Sequence, residues 1–270
     1  MKKNLFFFFC LFPIFSFCLE EQPWFGNIYE FHLTSSYSYS YYDKVNGAIV
    51  PLSSTSHDHL LYFDLDFPFS SRWSFDTDLE FTRTPRQPFS FCSFALQFRH
   101  LWSDDIGGDA ATFTTGASFR YIAERSKKDI SCPYHGDVEF EGNLSLGKEF
   151  DRFDDWFFRL WCFAAIGIAN IGSPWFRGIG AIEGNFSDTH RLGAFVYGGH
   201  GYGKKTSIDI SNFNGYGRER QKYIDLSFRY GYHFRVAGTL RFEYTRRLLS
   251  KVCPSEVNTF TLSYLLPFSF

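Results

Sequence analysis

Aromatic and polar residues alternate along most of this chain. In residues 29–41 most odd positions carry Tyr, Phe or Leu, whereas the even positions carry Ser, Thr, Glu or His. Side chains of a strand point alternately to its two faces, so this pattern predicts a β-strand with one ring-bearing face and one polar face. The last segment, 259–270, repeats the pattern, with the apolar face Phe260, Leu262, Tyr264, Leu266, Phe268 and Phe270.

Ten further segments between these two have strand character, most with the same alternation. The alternation is weakest in three of them, because 156–170 is apolar on both faces and 176–186 and 191–202 are rich in glycine. Period-two patterns without helical ones predict an all-β protein of about twelve strands. The ten segments are 60–69, 73–83, 89–102, 111–123, 137–150, 156–170, 176–186, 191–202, 222–232 and 234–245.

The predicted connections differ in length on the two sides. Those after even-numbered strands are mostly short, and several after odd-numbered strands are long. This asymmetry is typical of an up-and-down antiparallel barrel in a membrane, whose short turns face the periplasm. An even number of strands then predicts that both termini of the barrel are periplasmic. The long connections are 42–59, 124–136, 203–221 and 246–256.

The composition favours lipid outside the barrel. The chain has 36 Phe and 16 Tyr, yet its mean hydropathy is only -0.20. A soluble barrel also alternates, but with its apolar face inside and lysines on its exposed strands. Here nearly all lysines fall in predicted loops, and Ser, Thr, Gly and charged residues occupy the polar face. We therefore expect the rings to contact lipid and the polar face to line the interior. A net charge of -2 gives no reason to expect nucleic acid as a partner.

The N-terminus predicts export. Lys2 and Lys3 precede a short apolar stretch, and small residues follow, as in a signal peptide. We assign residues 1–18 to the signal peptide, residues 19–27 to a short periplasmic segment, and residues 28–270 to the barrel.

The C-terminal strand provides a resemblance. Its apolar residues Tyr264, Leu266, Phe268 and the terminal Phe270 resemble the signal by which outer-membrane proteins are recognised for insertion. The whole mature chain resembles the twelve-stranded outer-membrane barrels of Gram-negative bacteria. This resemblance implies a location in the bacterial outer membrane, contact with its lipid and lipopolysaccharide, and insertion by the barrel-assembly machinery. It does not choose a function, because that group includes narrow porins, nucleoside channels and a phospholipase.

Charged residues on the predicted inward face allow two interpretations. Acidic and arginine walls facing each other across open water would make a narrow porin-like channel for small polar solutes. The same charges could instead pair and fill the interior, which would leave a closed barrel with a structural or adhesin role. Twelve strands lie between filled and open barrels, so width does not decide. The predicted pore-lining residues are Asp64, Asp66, Asp76, Asp78, Glu80, Arg99, Arg120, Glu139, Glu141, Arg159, Arg229, Arg241 and Glu243.

Other chemistry is sparsely indicated. Cys132 and Cys253 fall in predicted loops on the same side, and an oxidising compartment allows a disulfide between them. Cys92 and Cys162 are predicted on the apolar face. A third functional hypothesis is a lipid-modifying barrel enzyme using His100 or His200, although no motif pairs either with a serine. The sequence predicts no cofactor and no metal site, since the His57–Asp58–His59 triplet has no further ligands in view.

Overall fold

A computed structural model describes residues 21–152, 155–187, 189–234 and 237–269. The predicted signal peptide and Phe270 lie outside these residues. The alternating segments form long strands, and one short helix, α1 (Glu124–Lys127), and two 3-10 turns (Ile210–Asn212 and Tyr216–Arg218) lie in loops. The strands are β1 (Phe31–Tyr42), β2 (Lys44–Asn46), β3 (Ser56–Ser70), β4 (Trp73–Thr84), β5 (Gln87–Ser103), β6 (Thr112–Ile122), β7 (Val138–Arg152), β8 (Asp155–Ala169), β9 (Trp175–Phe186), β10 (His190–Gly201), β11 (Lys222–Phe234), β12 (Gly238–Lys251), β13 (Cys253–Ser255) and β14 (Asn258–Phe268).

Twelve of these strands close into one antiparallel barrel, as predicted. Each barrel strand pairs with its neighbours in the chain, and β1 closes the circle by pairing with both β3 and β14. The short strands β2 and β13 form a separate two-stranded sheet. Closure satisfies the backbone groups of every barrel strand, which is the condition for a sheet to span hydrocarbon.

The barrel presents apolar rings outside and polar groups inside. Phe98 and Phe140 are each 52% exposed, whereas Asp76 and Glu80 are fully buried. Trp73 and Trp102, near the short-turn end, are also exposed on the outer surface. Exposed apolar surface is unfavourable in water at about 25 cal/mol per Å², so an exterior of this composition requires lipid around it. Among the described residues, no helix is both long and apolar enough to cross a membrane.

Several boundaries differ from the prediction. The turn predicted at His233 does not lie there, because β11 continues to Phe234. β12 begins at Gly238, whose φ of 99° suits a tight turn. β12 runs to Lys251 rather than ending near 245, because its last residues stay paired with β11 through a register shift after Ile224. Alternation alone does not reveal such a shift, because it changes the register without ending the strand.

The long loops pack against one another at one end of the barrel. Residues from four of them form a buried apolar cluster, hereafter the loop cluster. Arg86, in the tight β4–β5 connection, bonds to Asp129 at 2.8 Å and to the Tyr42 hydroxyl at 2.7 Å. Tyr216 donates to the carbonyl of Ile130 at 2.6 Å. The loop cluster comprises Tyr42, Val45, Ile130, Ile208, Phe213, Tyr216, Val252 and Cys253.

Candidate functional site

The interior of the barrel is the candidate functional site. The predicted pore-lining residues all alternate with apolar residues of the outer surface and therefore point inward. The acids of β3 and β4 are buried, as is Arg99, and the remaining members are buried or partly buried. Their role in lining a pore stays a prediction, but their common face is now defined.

Charges of this interior pair mainly between nearby strands. Arg120 on β6 donates to Asp78 at 2.7 Å and to Glu80 at 2.9 Å, and both acids lie on β4. Arg159 on β8 pairs with Glu149 on β7. These contacts match the paired interpretation of the sequence more closely than two opposed walls.

A second set of ion pairs lies on β11 and β12. Arg229 bonds to Glu243 at 2.7 Å, and Ser227 and Tyr197 donate to the same carboxylate at 2.6 and 3.2 Å. Arg247 holds Asp225 through two bonds of 2.8 and 2.9 Å. The sequence prediction missed Arg247, because it ended this strand too early.

Aromatic residues also point inward, which the prediction did not anticipate. Trp161 and Phe163 of β8 and Phe195 of β10 form a buried cluster with small side chains of β8 and β9. Arginines lie over such rings: Arg177 is 4.6 Å from the Phe163 centroid and Arg229 is 4.2 Å from that of Phe195. Cation–π contacts hold a guanidinium in place while leaving its N–H groups free for carboxylates. Both faces of β8 are largely apolar, so its sequence marked the inner face only through Arg159 and gave no sign of the inward rings.

The segment before β1 lies inside the barrel. Glu21 pairs with Arg177, and its carbonyl accepts a bond of 2.7 Å from Ser145. The carbonyl of Gln22 accepts a bond from Arg99, which also lies 5.1 Å from the ring centroid of Phe25. The sequence predicted residues 19–27 as a short periplasmic segment, and the structure shows that the described part of it contacts the lumen wall.

Trp24 anchors this segment near the short-turn end. Its indole N–H donates to Asp105 at 2.8 Å, and Asp105 belongs to the turn between β5 and β6. The guanidinium of Arg159 lies 4.7 Å from the centroid of the Trp24 ring, and Trp24 is only 8% exposed. Residues 21–25, hereafter the luminal segment, therefore occupy space inside the barrel, with Trp24 at the short-turn end.

A cavity of about 300 Å³ lies in the long-loop half. Glu21 of the luminal segment, Arg177 and the loop residues Tyr134 and Tyr216 contribute to its lining. Four predicted pore-lining residues meet there, Arg120, Glu139, Glu141 and Glu243, and the other nine do not line it. More carboxylates than guanidiniums surround the cavity, so its field favours cationic or neutral polar solutes over anions.

His100 and His200, the two histidines of the enzyme hypothesis, pack against aromatic rings. His100 packs between Trp73 and Trp102, with ring centroids 4.4 and 4.5 Å away, and its Nδ1 has no hydrogen-bond partner among the described residues. His200 contacts Tyr202, with centroids 4.6 Å apart. In the His57–Asp58–His59 triplet, Asp58 is buried while His57 and His59 bond outer-face tyrosines. Strand alternation therefore places Asp58 on the opposite face of β3 from His57 and His59.

The two cysteines named for a possible disulfide, Cys132 and Cys253, lie in different parts of the loop region, and the structure contains no disulfide among its four described cysteines. Cys253 belongs to the loop cluster, whereas Cys132 lies in a separate buried cluster with Cys92. Cys162 is exposed on the outer face as predicted, but Cys92 is buried inside rather than on the apolar face.

Comparison with known proteins identifies the fold class. No family model matches the sequence, and no curated protein matches it. An outer-membrane channel of Pseudomonas putida F1 superposes with a TM-score of 0.62 at 12% identity, covering 94% of this chain and 100% of that one. The NanC porin superposes with a TM-score of 0.57 at 9% identity, covering 87% and 98%. The chain therefore has the outer-membrane barrel fold that its sequence predicted, without assignment to a particular subfamily.

Proposed function

We propose that this protein is a narrow channel for small polar solutes in a bacterial outer membrane. The observation that carries the proposal is a cavity lined by charged side chains, inside a wall whose outer face is apolar. The two similar structures are called an outer-membrane channel and a porin, which supports the same function. The luminal segment narrows the route, so only small solutes are expected to pass.

Uptake into liposomes tests this proposal. Vesicles containing the purified protein should swell in isotonic solutions of small neutral and cationic solutes. Entry should slow steeply as solute size increases, and anions of equal size should enter more slowly because carboxylates predominate around the cavity. Vesicles that swell no faster than protein-free vesicles for any solute would reject the channel.

A closed barrel with a surface role is the second candidate. The luminal segment and its bonds to Arg99, Arg177 and Asp105 favour it, because they fill part of the lumen. The converging long loops would then present the functional surface. Absence of swelling, together with a correctly folded and membrane-inserted protein, would select this candidate over the channel.

A further inference from the structure

Two thiols from distant parts of the chain meet inside the barrel wall. Cys92 lies on β5 and is fully buried, and Cys132 lies in the loop of residues 123–137 and is 5% exposed. Both belong to one small cluster with Leu60, Ile122 and Tyr134. Each sulfur also contacts a polar group at the edge of this cluster: the Gln87 amide lies 3.6 Å from Cys132 Sγ, and the Tyr134 hydroxyl lies 3.4 Å from Cys92 Sγ. The proximity of the two cysteines comes from the fold, since about forty residues separate them in the chain.

A β-bulge directs Cys92 inward. Glu80 of β4 pairs with Ser93, and the next residue, Phe81, pairs with Phe91, so Cys92 is an extra residue between them. A bulge lets two consecutive residues face the same side, and both Cys92 and Ser93 are fully buried. Without this bulge Cys92 would face lipid, as strict alternation predicts, and could not reach the loop.

Independent bonds hold the loop against this position. The amide of Ala123 donates to the carbonyl of Cys92 at 2.9 Å, and the amide of Cys132 donates to Asp129 at 3.0 Å. The Cys92 thiol donates a hydrogen bond of 3.4 Å to the Tyr134 hydroxyl, and that hydroxyl donates to the Glu80 carboxylate. The loop thus positions Cys132 beside Cys92 by contacts that do not depend on a bond between the sulfurs.

Thiol reactivity limits when these residues can be oxidised. The neighbouring Cys92 thiol, followed by burial, holds the pKa of Cys132 well above its usual range. Thiol–disulfide exchange requires a thiolate, so Cys132 is a poor nucleophile once it is enclosed. Oxidation is therefore expected during export and folding, before the loop closes.

We propose that Cys92 and Cys132 form a disulfide that fixes this loop to the inside of the barrel wall. The two thiols lose two protons and two electrons to a disulfide-bonded protein oxidant of the periplasm, whose own disulfide is reduced to two thiols. The proposal rests on export, which the N-terminal sequence predicts, and is independent of whether the barrel conducts. Tyr134 and His135, which follow Cys132 closely in the sequence, line the cavity, so the disulfide would immobilise part of the cavity wall.

Peptide mapping tests the bond directly. Trypsin is expected to place each cysteine on a separate peptide: residues 87–99, 129–148, 160–177 and 252–270. Protein purified from outer membranes would be denatured, alkylated without reductant, digested and analysed by mass spectrometry. We expect 87–99 joined to 129–148, with Cys162 and Cys253 alkylated. Alkylation of all four cysteines, or linkage of Cys132 to Cys253, would overturn the proposal.

Variants and a redox control sharpen the result. Cys92→Ser and Cys132→Ser should each abolish the mobility difference between reduced and non-reduced protein on gels, whereas Cys162→Ser and Cys253→Ser should retain it. Expression in cells lacking a periplasmic thiol oxidase should lower the joined fraction in the wild-type protein. If either serine variant fails to fold, the wild-type peptide map still decides, because it requires no substitution.

Discussion

Arg120 shows at the scale of one residue how charge is accommodated inside this barrel. Its guanidinium bonds to Asp78, Glu80 and Ser93, and its side chain is 14% exposed, while the two carboxylates are fully buried. Removing two carboxylates from water is costly unless a cation and hydrogen bonds replace their hydration. Each member of this group therefore depends on the others, which explains why they occupy neighbouring positions.

Arg120→Ala should destabilise the barrel strongly. The substitution leaves two buried carboxylates without their cation, and breaking a buried pair typically costs about 3 kcal/mol or more. Urea unfolding in detergent, monitored by tryptophan fluorescence, would measure the decrease in the free energy of unfolding. Arg125→Ala is the matched control, because Arg125 lies exposed on α1 and should change the free energy of unfolding little. Equal stabilities of the two variants would contradict this account of the interior.

At the scale of elements, period-two patterns located most of the twelve barrel strands, although alternation was weak in three of them. Lipid outside and polar groups inside impose opposite demands on successive residues, so the pattern is strong in β1 and β14. It failed where that contrast is absent. In β8 to β10 the inner face carries Trp161, Phe163 and Phe195, and Arg177 was missed among the glycines of β9.

The remaining errors arise from contacts distant in sequence. Alternation gave Cys92 the wrong face, because a bulge reverses the parity of the strand beyond it. Arg247 was assigned to a loop, although its bonds to Asp225 keep it in β12. The luminal segment carries no periodic pattern, and only the folded barrel provides its partners.

Acid should loosen the loop of residues 123–137. The Lys127 ammonium beside Asp137 lowers the pKa of that carboxyl below its ordinary value of 3.8. A folded pKa below the unfolded one means that the contact contributes stability above the unfolded pKa and loses it as pH falls through the folded pKa. Hydrogen exchange of this loop, corrected for intrinsic rates, should therefore rise as pH falls to about 3.

Asp137→Asn provides the control for this acid effect. The amide cannot titrate, so the loop should exchange faster than wild type near neutral pH and show no further change on acidification. A variant with the same acid-induced rise as the wild type would assign the effect to another carboxylate.

The C-terminal strand is expected to carry the insertion signal. Phe268 stacks on Phe31 with centroids 5.3 Å apart, and Phe31 stacks on Phe67 at 4.3 Å, so the last strand closes the barrel through an aromatic seam. We predict that Phe270→Ala lowers the amount of folded protein in outer membranes. Heat-dependent gel mobility would measure it, with Ser269→Ala as the control. Undiminished assembly of Phe270→Ala would reject the role of the terminal residue.

At the scale of the whole molecule, three regions follow one another along the barrel axis. The long loops converge at one end, the cavity lies below them, and the luminal segment extends from Glu21 at the cavity to Trp24 at the short-turn end. A barrel of twelve strands has a lumen of intermediate width, so a short segment is enough to narrow it. The proposed route through the membrane would pass this segment, and residues 21–25 would then set its width.

Single-channel recording in planar bilayers, with wild type and Trp24→Ala compared under the same salt, tests this account most directly. Trp24 loses its bond to Asp105 and its contact with Arg159 in the variant, which should free the luminal segment from the wall. We predict small, discrete conductance steps for the wild type and larger steps for Trp24→Ala. Bilayers that remain silent with both folded proteins would contradict a polar passage through the barrel.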